Sequence, residues 1–219
     1  MKFLLTSNGL SNNLIAASLL SLVNKSASEI SIAFIPTAMN LENGNKGWFI
    51  DDLYNIKKQN YKCIDIVDIS ALPENIWKPR LEKADILFFS GGNTYHLMYW
   101  LNKSGLTDML PDLLKTRVYV GISAGSMVTN PSLFLSSRDD KIYHEQNFGY
   151  MNEDALGLVD IYVRPHLNSS HFIHARKEYI EIIAKESKKT IYAIDDQSAV
   201  KIIDNHIEII SEGEYLVFE

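Results

Sequence analysis

The chain has 219 residues, of which 46% are hydrophobic, enough for a substantial core that is most simply organised as one domain spanning 1–219. Its net charge of −6 and its lack of a basic tract argue against nucleic acid or an anionic membrane as a partner. No apolar run approaches the length of a bilayer span, and the apolar N-terminus is too short for a signal peptide. A single cysteine suits a reducing compartment, so we expect a cytoplasmic protein and leave a homodimer open.

Strands and helices alternate along the first half of the chain. Apolar runs bounded by turn residues predict strands over 3–6, 30–35, 63–69, 85–89 and 118–122. Helical periodicity predicts helices over 12–22, 47–59, 73–84, 94–103 and 107–115. Strands that are apolar on both faces and separated by helices indicate a mostly parallel central sheet with helices on both faces, an α/β fold.

The C-terminal part has a different pattern. A strand over 161–163 and a helix over 171–187 precede short strands over 191–194, 199–203, 206–210 and 215–218, which we expect to form close β-hairpins. Asp204-Asn205 is a plausible tight turn between two of them. In the third strand, Cys63 is expected to be a buried small hydrophobe rather than a reactive thiol.

The most informative motif is Gly121-Ile122-Ser123-Ala124-Gly125, which follows the strand over 118–122 directly. The bare Gly-x-Ser-x-Gly pattern is common, but a strand that runs straight into it is rarer. In that context the serine occupies a sharp strand-to-helix turn, and the two glycines remove the Cβ atoms that would clash. The pattern therefore predicts a nucleophile elbow, with the backbone N–H of Ala124 directed toward the serine hydroxyl.

Three other strand ends supply the groups that a serine nucleophile needs. Ser90-Gly91-Gly92-Asn93 follows the fourth strand, where an unhindered backbone could direct an N–H at an oxyanion. Arg164-Pro165-His166 follows the strand over 161–163, and Asp195-Asp196 follows the strand over 191–194. Ligands of such sheets bind beyond the carboxyl ends of the strands, so a base, a carboxylate and an oxyanion donor are expected at one edge.

Metal and nucleotide sites are not expected. His171 and His174 would share a helix face, but no cysteine or acidic ligand stands at matching spacing, which favours surface or structural histidines. No Gly-x-Gly-x-x-Gly follows the first strand, and no lysine follows a glycine-rich loop. Acyl transfer by serine needs no cofactor, and we expect none.

The motifs together resemble the peptidase E (aspartyl dipeptidase) and cyanophycinase family of serine peptidases. Ser90–Thr94 is similar to its Gly-Gly-Asn-Thr loop, Gly121–Ser126 to its Gly-x-Ser-Ala-Gly elbow, and Arg164–Leu167 to its Pro-His segment. Order and spacing agree over essentially the whole chain, including the opening strand that ends in Thr6-Ser7-Asn8. The resemblance implies a fold like that of class I glutamine amidotransferases, with serine in place of the nucleophilic cysteine.

The resemblance also implies roles for single residues. Ser123 would be the nucleophile and His166 the base, with the backbone N–H groups of Gly92 and Ala124 as oxyanion donors. The acid of the triad is open between Asp196 and Asp139. We prefer Asp196 because strand ends are rigid, and Asp139 would then position the substrate. These two aspartates correspond to the two segments in which the family's acid has been placed.

Substrate binding is expected to involve Asn93, in the Gly-Gly-Asn-Thr loop, and Arg176. Arg176 corresponds to a family arginine associated with aspartate at the peptide N-terminus, and a guanidinium can bind that carboxylate with two parallel hydrogen bonds. An equally good interpretation is that Arg176 is a surface arginine paired with a nearby glutamate. Ile122 and Ser126 depart from the dipeptidase elbow, which has tryptophan and alanine there, so Asp-X specificity is a hypothesis.

The predicted function is hydrolysis of small peptides, with Asp-X dipeptides as the candidate substrate, through a Ser-His-acid triad and an acyl-enzyme. Two alternatives stay open: an amidase or esterase that acts on a non-peptide acyl group, and a non-catalytic member that binds a small ligand. Loops over 40–47 and 139–149 are expected to border the cleft.

Overall fold

A computed structural model describes residues 1–149 and 153–219. The strands are β1 (Lys2–Thr6), β2 (Ser31–Ile35), β3 (Cys63–Ile66), β4 (Ile86–Phe89), β5 (Val118–Ile122), β6 (Tyr162–Arg164), β7 (Ile191–Ile194), β8 (Ser198–Ile203), β9 (His206–Ser211) and β10 (Tyr215–Phe218). The α-helices are α1 (Asn13–Val23), α2 (Gly47–Lys57), α3 (Glu74–Lys83), α4 (Thr94–Lys103), α5 (Leu106–Leu113), α6 (Ala124–Met127), α7 (Arg138–Phe148) and α8 (Lys177–Ser187).

A seven-stranded sheet forms the centre, in the order β3-β2-β4-β5-β1-β8-β9. Its first five strands in that order pair in parallel, and β8 joins β1 in antiparallel register. A second sheet has the order β10-β7-β6, in which β6 and β7 are parallel. The expectation of a mostly parallel central sheet surrounded by helices is therefore confirmed.

Alternate residues of each central strand pack into different hydrophobic clusters. In β1, Phe3 and Leu5 belong to one cluster, whereas Leu4 belongs to the other, as the two-residue repeat of a strand requires. Both clusters are built from buried side chains, so the sheet is covered on both faces. A third cluster joins α8, through Ile180, to the second sheet, through Ala193. These clusters hold the carboxyl ends of β1, β4, β5, β6 and β7 in fixed relative positions.

Two sequence-based expectations about the strands are corrected. Cys63 is exposed rather than buried, because it begins β3, the edge strand of the seven-stranded sheet, and β3 ends at Ile66 rather than at 69. The C-terminal strands form one hairpin, β8 with β9, whose turn contains Asp204 in the left-handed region (φ 52°). The last strand, β10, pairs instead with β7 in the second sheet.

Two expectations about the helices are also corrected. The segment 139–149 is the helix α7 rather than a loop: the side chain of Ser137 caps its start, and Gly149 ends it with φ 67°. The last helix begins at Lys177 rather than at 171, because Arg176 is extended and the Lys177 N–H is capped by Asn168 Oδ1 at 3.0 Å. His171 and His174 therefore do not share a face of that helix.

Candidate active site

The turn between β5 and α6 holds Ser123 in a conformation that few residues adopt. Ser123 has φ 47° and ψ −104°, which is strained for a residue with a side chain. A Cβ at Gly121 would overlap the backbone of the α6 turn, and a Cβ at Gly125 would overlap the carbonyl of Phe89 in β4. The two glycines are thus required by close backbone contacts, and the turn has the form of a nucleophile elbow.

A continuous line of hydrogen bonds joins Ser123 to a histidine and an aspartate. His166 Nε2 lies 2.9 Å from Ser123 Oγ, and His166 Nδ1 lies 2.7 Å from Asp196 Oδ1. The three side chains come from the carboxyl ends of β5, β6 and β7, which belong to two different sheets. Sequence reasoning expected these residues at one edge, and the structure brings all three into contact.

Ser7 connects the histidine to the aspartate, a role that the sequence analysis missed. Its Oγ donates to Asp196 Oδ1 at 2.6 Å, accepts the backbone N–H of His166 at 2.9 Å and lies 3.2 Å from His166 Nδ1. The accepted N–H helps to hold His166 at φ 64°, in the left-handed region. The available signal was its place at the carboxyl end of β1, beside β5 in the sheet.

The surroundings of His166 favour an ionised aspartate beside an oriented imidazole. The hydrogen bond from His166, together with that from Ser7, outweighs burial and lowers the pKa of Asp196 below its usual value. On the other side, Phe172 stacks on the imidazole with ring centroids 4.4 Å apart and planes 11° apart. The carboxylate and the stacked ring together restrict the orientation of the imidazole.

Two backbone N–H groups lie free where an oxyanion site is expected. Within the described ranges, the amides of Gly92 and Ala124 donate to no acceptor. Gly92 has φ 128°, and a Cβ there would overlap the carbonyl of Ala38, so only glycine fits this loop. The loop also touches the elbow, because a Cβ added at Gly91 would lie 3.4 Å from Ser123 Cβ. An anion at Ser123 could therefore meet both donors.

Other predicted site residues stand apart from this line of hydrogen bonds. Asp139 is exposed in the first turn of α7 and makes no contact with His166 in the described part of the chain. Asn93 is buried, and its Oδ1 caps α4 by accepting from His96 N at 2.9 Å, which leaves its Nδ2 as the group available to a ligand. Arg176 is exposed at the N-cap of α8, before the helix rather than on it.

The chain matches a known peptidase family over nearly its whole length. The family model "Peptidase family S51" matches residues 3–210, nearly the whole chain and every residue of the hydrogen-bonded line. The chain belongs to peptidase family S51. Membership of S51 supports a peptidase activity, and serine chemistry is consistent with this family.

Several peptidases resemble the chain over much of its length at modest identity. An uncharacterized peptidase of Pasteurella multocida (PM1590) is 29% identical over 181 residues, which is 82% of this chain and 84% of that protein. An uncharacterized peptidase of Listeria monocytogenes (Lmo0363) is 28% identical over 175 residues, 78% of this chain and 82% of that protein. Peptidase E of Escherichia coli is 26% identical over 145 residues, 64% of this chain and 61% of that protein.

Two solved structures share the fold of this chain. A Listeria monocytogenes crystal structure described as a candidate peptidase E matches with a TM-score of 0.80 at 22% identity, over 97% of this chain and 98% of the other. A peptidase from an acI-B1 Actinobacterium matches with a TM-score of 0.74 at 18% identity, over 100% of this chain and 90% of the other. At such identities the likeness establishes the fold alone.

Arg164 is a further charged residue of this S51 chain that sequence reasoning did not single out. Only 8% of it is exposed, and in the described residues its side chain hydrogen-bonds to Met127 Sδ alone, 3.7 Å from Nη1. Burial lowers the pKa of Arg164 to about 10, and burial with nearby Glu42 and Asp139 raises the pKa of Asp140 to about 6. Asp140 and Arg164 influence each other without forming an ion pair.

Residues 1–149 and 153–219 of this S51 chain hold no cluster of three histidine, cysteine, aspartate or glutamate side chains that could bind a metal ion. No helix within the same ranges is both long and apolar enough to cross a membrane.

Proposed function

We propose that this protein is a serine peptidase that hydrolyses small peptides, with Ser123 as nucleophile, His166 as base and Asp196 as the orienting acid. The observation that carries the proposal is the unbroken line of hydrogen bonds from Ser123 Oγ through His166 to Asp196, at 2.9 Å and 2.7 Å. Its residues come from three separate strand ends and converge on a strained serine, an arrangement typical of an activated nucleophile.

The acylation step follows from this geometry. Ser123 Oγ attacks the peptide carbonyl carbon while its proton passes to His166 Nε2. The carbonyl oxygen gains negative charge, which the N–H groups of Gly92 and Ala124 stabilise. When the C–N bond breaks, the same proton moves from His166 to the leaving amine, and an ester to Ser123 remains. Asp196 holds the imidazole in position and stabilises its cationic form.

Deacylation repeats these steps with water. His166 Nε2 accepts a proton from a water molecule that attacks the ester carbonyl, and it returns the proton to Ser123 Oγ as the acid leaves. The oxyanion of this second intermediate has the same two donors. Ser7 keeps His166 and Asp196 in register throughout, because it is bonded to both.

Selection of an N-terminal aspartate has two candidate receptors. Arg176 follows from the resemblance, but it is exposed, and an exposed ion pair contributes little affinity. Arg164 is nearly buried and has no carboxylate within ion-pair distance in the described chain, so a substrate carboxylate there would be bound more strongly. We therefore extend the Asp-X hypothesis to Arg164 and keep Arg176 as the alternative.

The test is hydrolysis of matched dipeptides, Asp-Leu, Asn-Leu and Ala-Leu, by the unmodified protein and by Ser123→Ala. We expect kcat/KM to be highest for Asp-Leu and all cleavage to be lost in Ser123→Ala. Matched acetate esters and simple amides in the same panel separate a peptidase from an esterase or amidase. Cleavage of the esters and amides without cleavage of any dipeptide would contradict the proposal.

Arg164→Gln and Arg176→Gln form a matched pair for the receptor. Replacing the arginine that binds the substrate carboxylate should lower the ratio of kcat/KM for Asp-Leu to kcat/KM for Asn-Leu by about tenfold or more. The kcat/KM for Ala-Leu should change little. If neither variant changes that ratio, the assignment of an arginine receptor is wrong, whereas the peptidase proposal survives as long as dipeptides are cleaved.

A further inference from the structure

Asp52, on α2, is a buried carboxylate that the proposed reaction does not use. The residue is 3% exposed, and its carboxylate makes no hydrogen bond or ion pair within the described chain. Its oxygens are not among the fully enclosed side-chain atoms that lack a partner, so they still have contact with solvent. A buried carboxylate without a partner is costly, and it is unusual for a protein to keep one without a purpose.

The position of Asp52 links it to the hydrogen-bonded line. A Cβ added at Gly9 would lie 3.1 Å from Asp52 Oδ1 and 3.2 Å from Ile122 Cδ1. Gly9 lies two residues after Ser7, which bonds to His166 and Asp196, and Ile122 directly precedes Ser123. Asp52 therefore lies near Ile122, the residue before the nucleophile, and against the loop that follows β1.

Trp48 extends the same face of α2 toward the nucleophile. It precedes Asp52 by four residues, so the two side chains lie on one side of the helix. A Cβ added at Gly91 would lie 3.6 Å from Trp48 Cζ3 and 3.4 Å from Ser123 Cβ. The indole is 38% exposed, so an aromatic wall beside Ser123 continues into a buried carboxylate.

The charges around Asp52 are negative. Burial first, and then Asp51 and Asp196, raise the pKa of Asp52 to about 7. No lysine, arginine or histidine side chain of the described residues forms an ion pair with it. A cation that entered this site would remove the cost of the buried charge, and the ligand chemistry that fits is a compact group with several N–H donors.

We propose that Asp52 binds the primary ammonium of the substrate's N-terminus and thereby restricts the enzyme to peptides cleaved after their first residue. In a dipeptide, the α-nitrogen lies two bonds from the carbonyl carbon that Ser123 attacks, so the ammonium is the cation nearest to the nucleophile. Trp48 would pack against the apolar part of that first residue's side chain. This inference rests on the proposed function, since it identifies how that site selects its substrates.

The test compares binding of free and N-acetylated dipeptides. Isothermal titration calorimetry on Ser123→Ala, which should bind without turnover, uses Asp-Leu and Ala-Leu, each beside its N-acetyl form. We expect the free peptides to bind at least about tenfold more tightly than the acetylated ones. Adding Asp52→Asn should reduce the ratio of the two Kd values to near one. Asp51→Asn, the same change at the exposed neighbouring residue, should not reduce it, because it removes a nearby negative charge and leaves the Asp52 carboxylate in place.

Each outcome decides the inference. An unchanged ratio in Asp52→Asn, equal weakening of both peptide forms, or no binding of any of the four peptides would overturn it. If the asparagine variant does not fold, Asp52→Ser replaces it, because a smaller polar side chain fits the same space. Binding does not require a reactive serine, so a ratio that depends on Asp52 in a protein that cleaves no dipeptide would contradict the proposed function alone.

Discussion

The hydrogen-bonded line of Ser123, His166 and Asp196 differs sharply from the charged residues around it. In the line, each polar side chain has a partner within 3 Å, and Ser7 completes the set. Around it, Asp52 and Arg164 are buried and Asp140 is half-buried, yet the described residues provide none of the three with an ion pair. Their pKa values are shifted toward the neutral forms.

This difference has a physical reason. A group that performs proton transfer must be held in place before the substrate arrives, so its partners belong to the protein. A group that recognises a charged substrate keeps its partner position open, and the cost of its burial is repaid only upon binding. We therefore propose that the residues with protein partners carry out proton transfer, and that Asp52 and Arg164 select the substrate.

The largest expected effect concerns the third member of the line. Asp196→Asn should lower kcat by about 10⁴-fold, because the amide can stabilise neither the imidazolium nor the required tautomer. Asp139→Asn should change kcat by less than about threefold, since Asp139 does not contact His166. Steady-state hydrolysis of Asp-Leu by both variants measures this. A larger loss for Asp139→Asn would assign the acid to α7 instead.

The loop over 90–93, which carries the proposed oxyanion donor Gly92, should not tolerate a side chain at that position. Gly92→Ala must displace the loop from Ala38, and the loss of one donor should lower kcat by about 10²- to 10³-fold. The matched control is Gly105→Ala, a glycine at φ 78° with nothing within 4 Å of an added Cβ, which reports backbone strain without a clash. Comparable losses of kcat in both variants would show that strain, and not donor position, is responsible.

The charged form of Asp52 should destabilise the folded protein relative to the protonated form. Its pKa is raised from 3.8 to about 7, so between these pH values the folded protein keeps a proton that the unfolded chain releases. The free energy of unfolding therefore falls as the pH rises through this window. Urea denaturation should find Asp52→Asn more stable than the unmodified protein at about pH 8, by the order of 1 to 4 kcal/mol, with a small difference at about pH 4. A destabilised variant at the higher pH would mean that the charge has a partner in the protein.

The smallest effect is expected at Ser7. Ser7→Ala removes the donor to Asp196 and the acceptor of the His166 N–H, and we expect about a tenfold lower kcat, equivalent to about 1.4 kcal/mol. Ser187→Ala is the control, because that hydroxyl has no hydrogen bond in the described structure. An unchanged kcat in Ser7→Ala would indicate that Asp196 orients His166 alone.

Much of the fold was predictable because its signals are local. Strand periodicity, the Gly-x-Ser-x-Gly turn and the strand-end rule predicted Ser123, His166 and the pair Asp195-Asp196 at one edge, whereas the preference for Asp196 rested on the resemblance and left Asp139 open. The exposure of Cys63 was not predictable, because it depends on β3 being the edge strand. The helix α7 did carry local signals, a Ser137 cap and a terminal Gly149, that the sequence analysis did not use.

The charged surroundings were less accessible to sequence reasoning. Asp52 reads as a polar position on an amphipathic helix, and its burial arises only when α2 packs beside the loop after β1. Arg164 adjoins a motif residue, but nothing in its neighbours predicts a guanidinium without a carboxylate partner. Unsatisfied groups follow from tertiary contacts, so composition and spacing cannot identify them.

Active-site labelling with a fluorophosphonate, followed by intact mass spectrometry of the unmodified protein, Ser123→Ala and His166→Ala, tests whether Ser123 and His166 form an activated pair. We predict one adduct per chain in the unmodified protein and none in either variant, since phosphonylation requires both the nucleophile and its base. A folded, unmodified protein that forms no adduct, or an adduct that persists in Ser123→Ala, would contradict an activated Ser123–His166 pair.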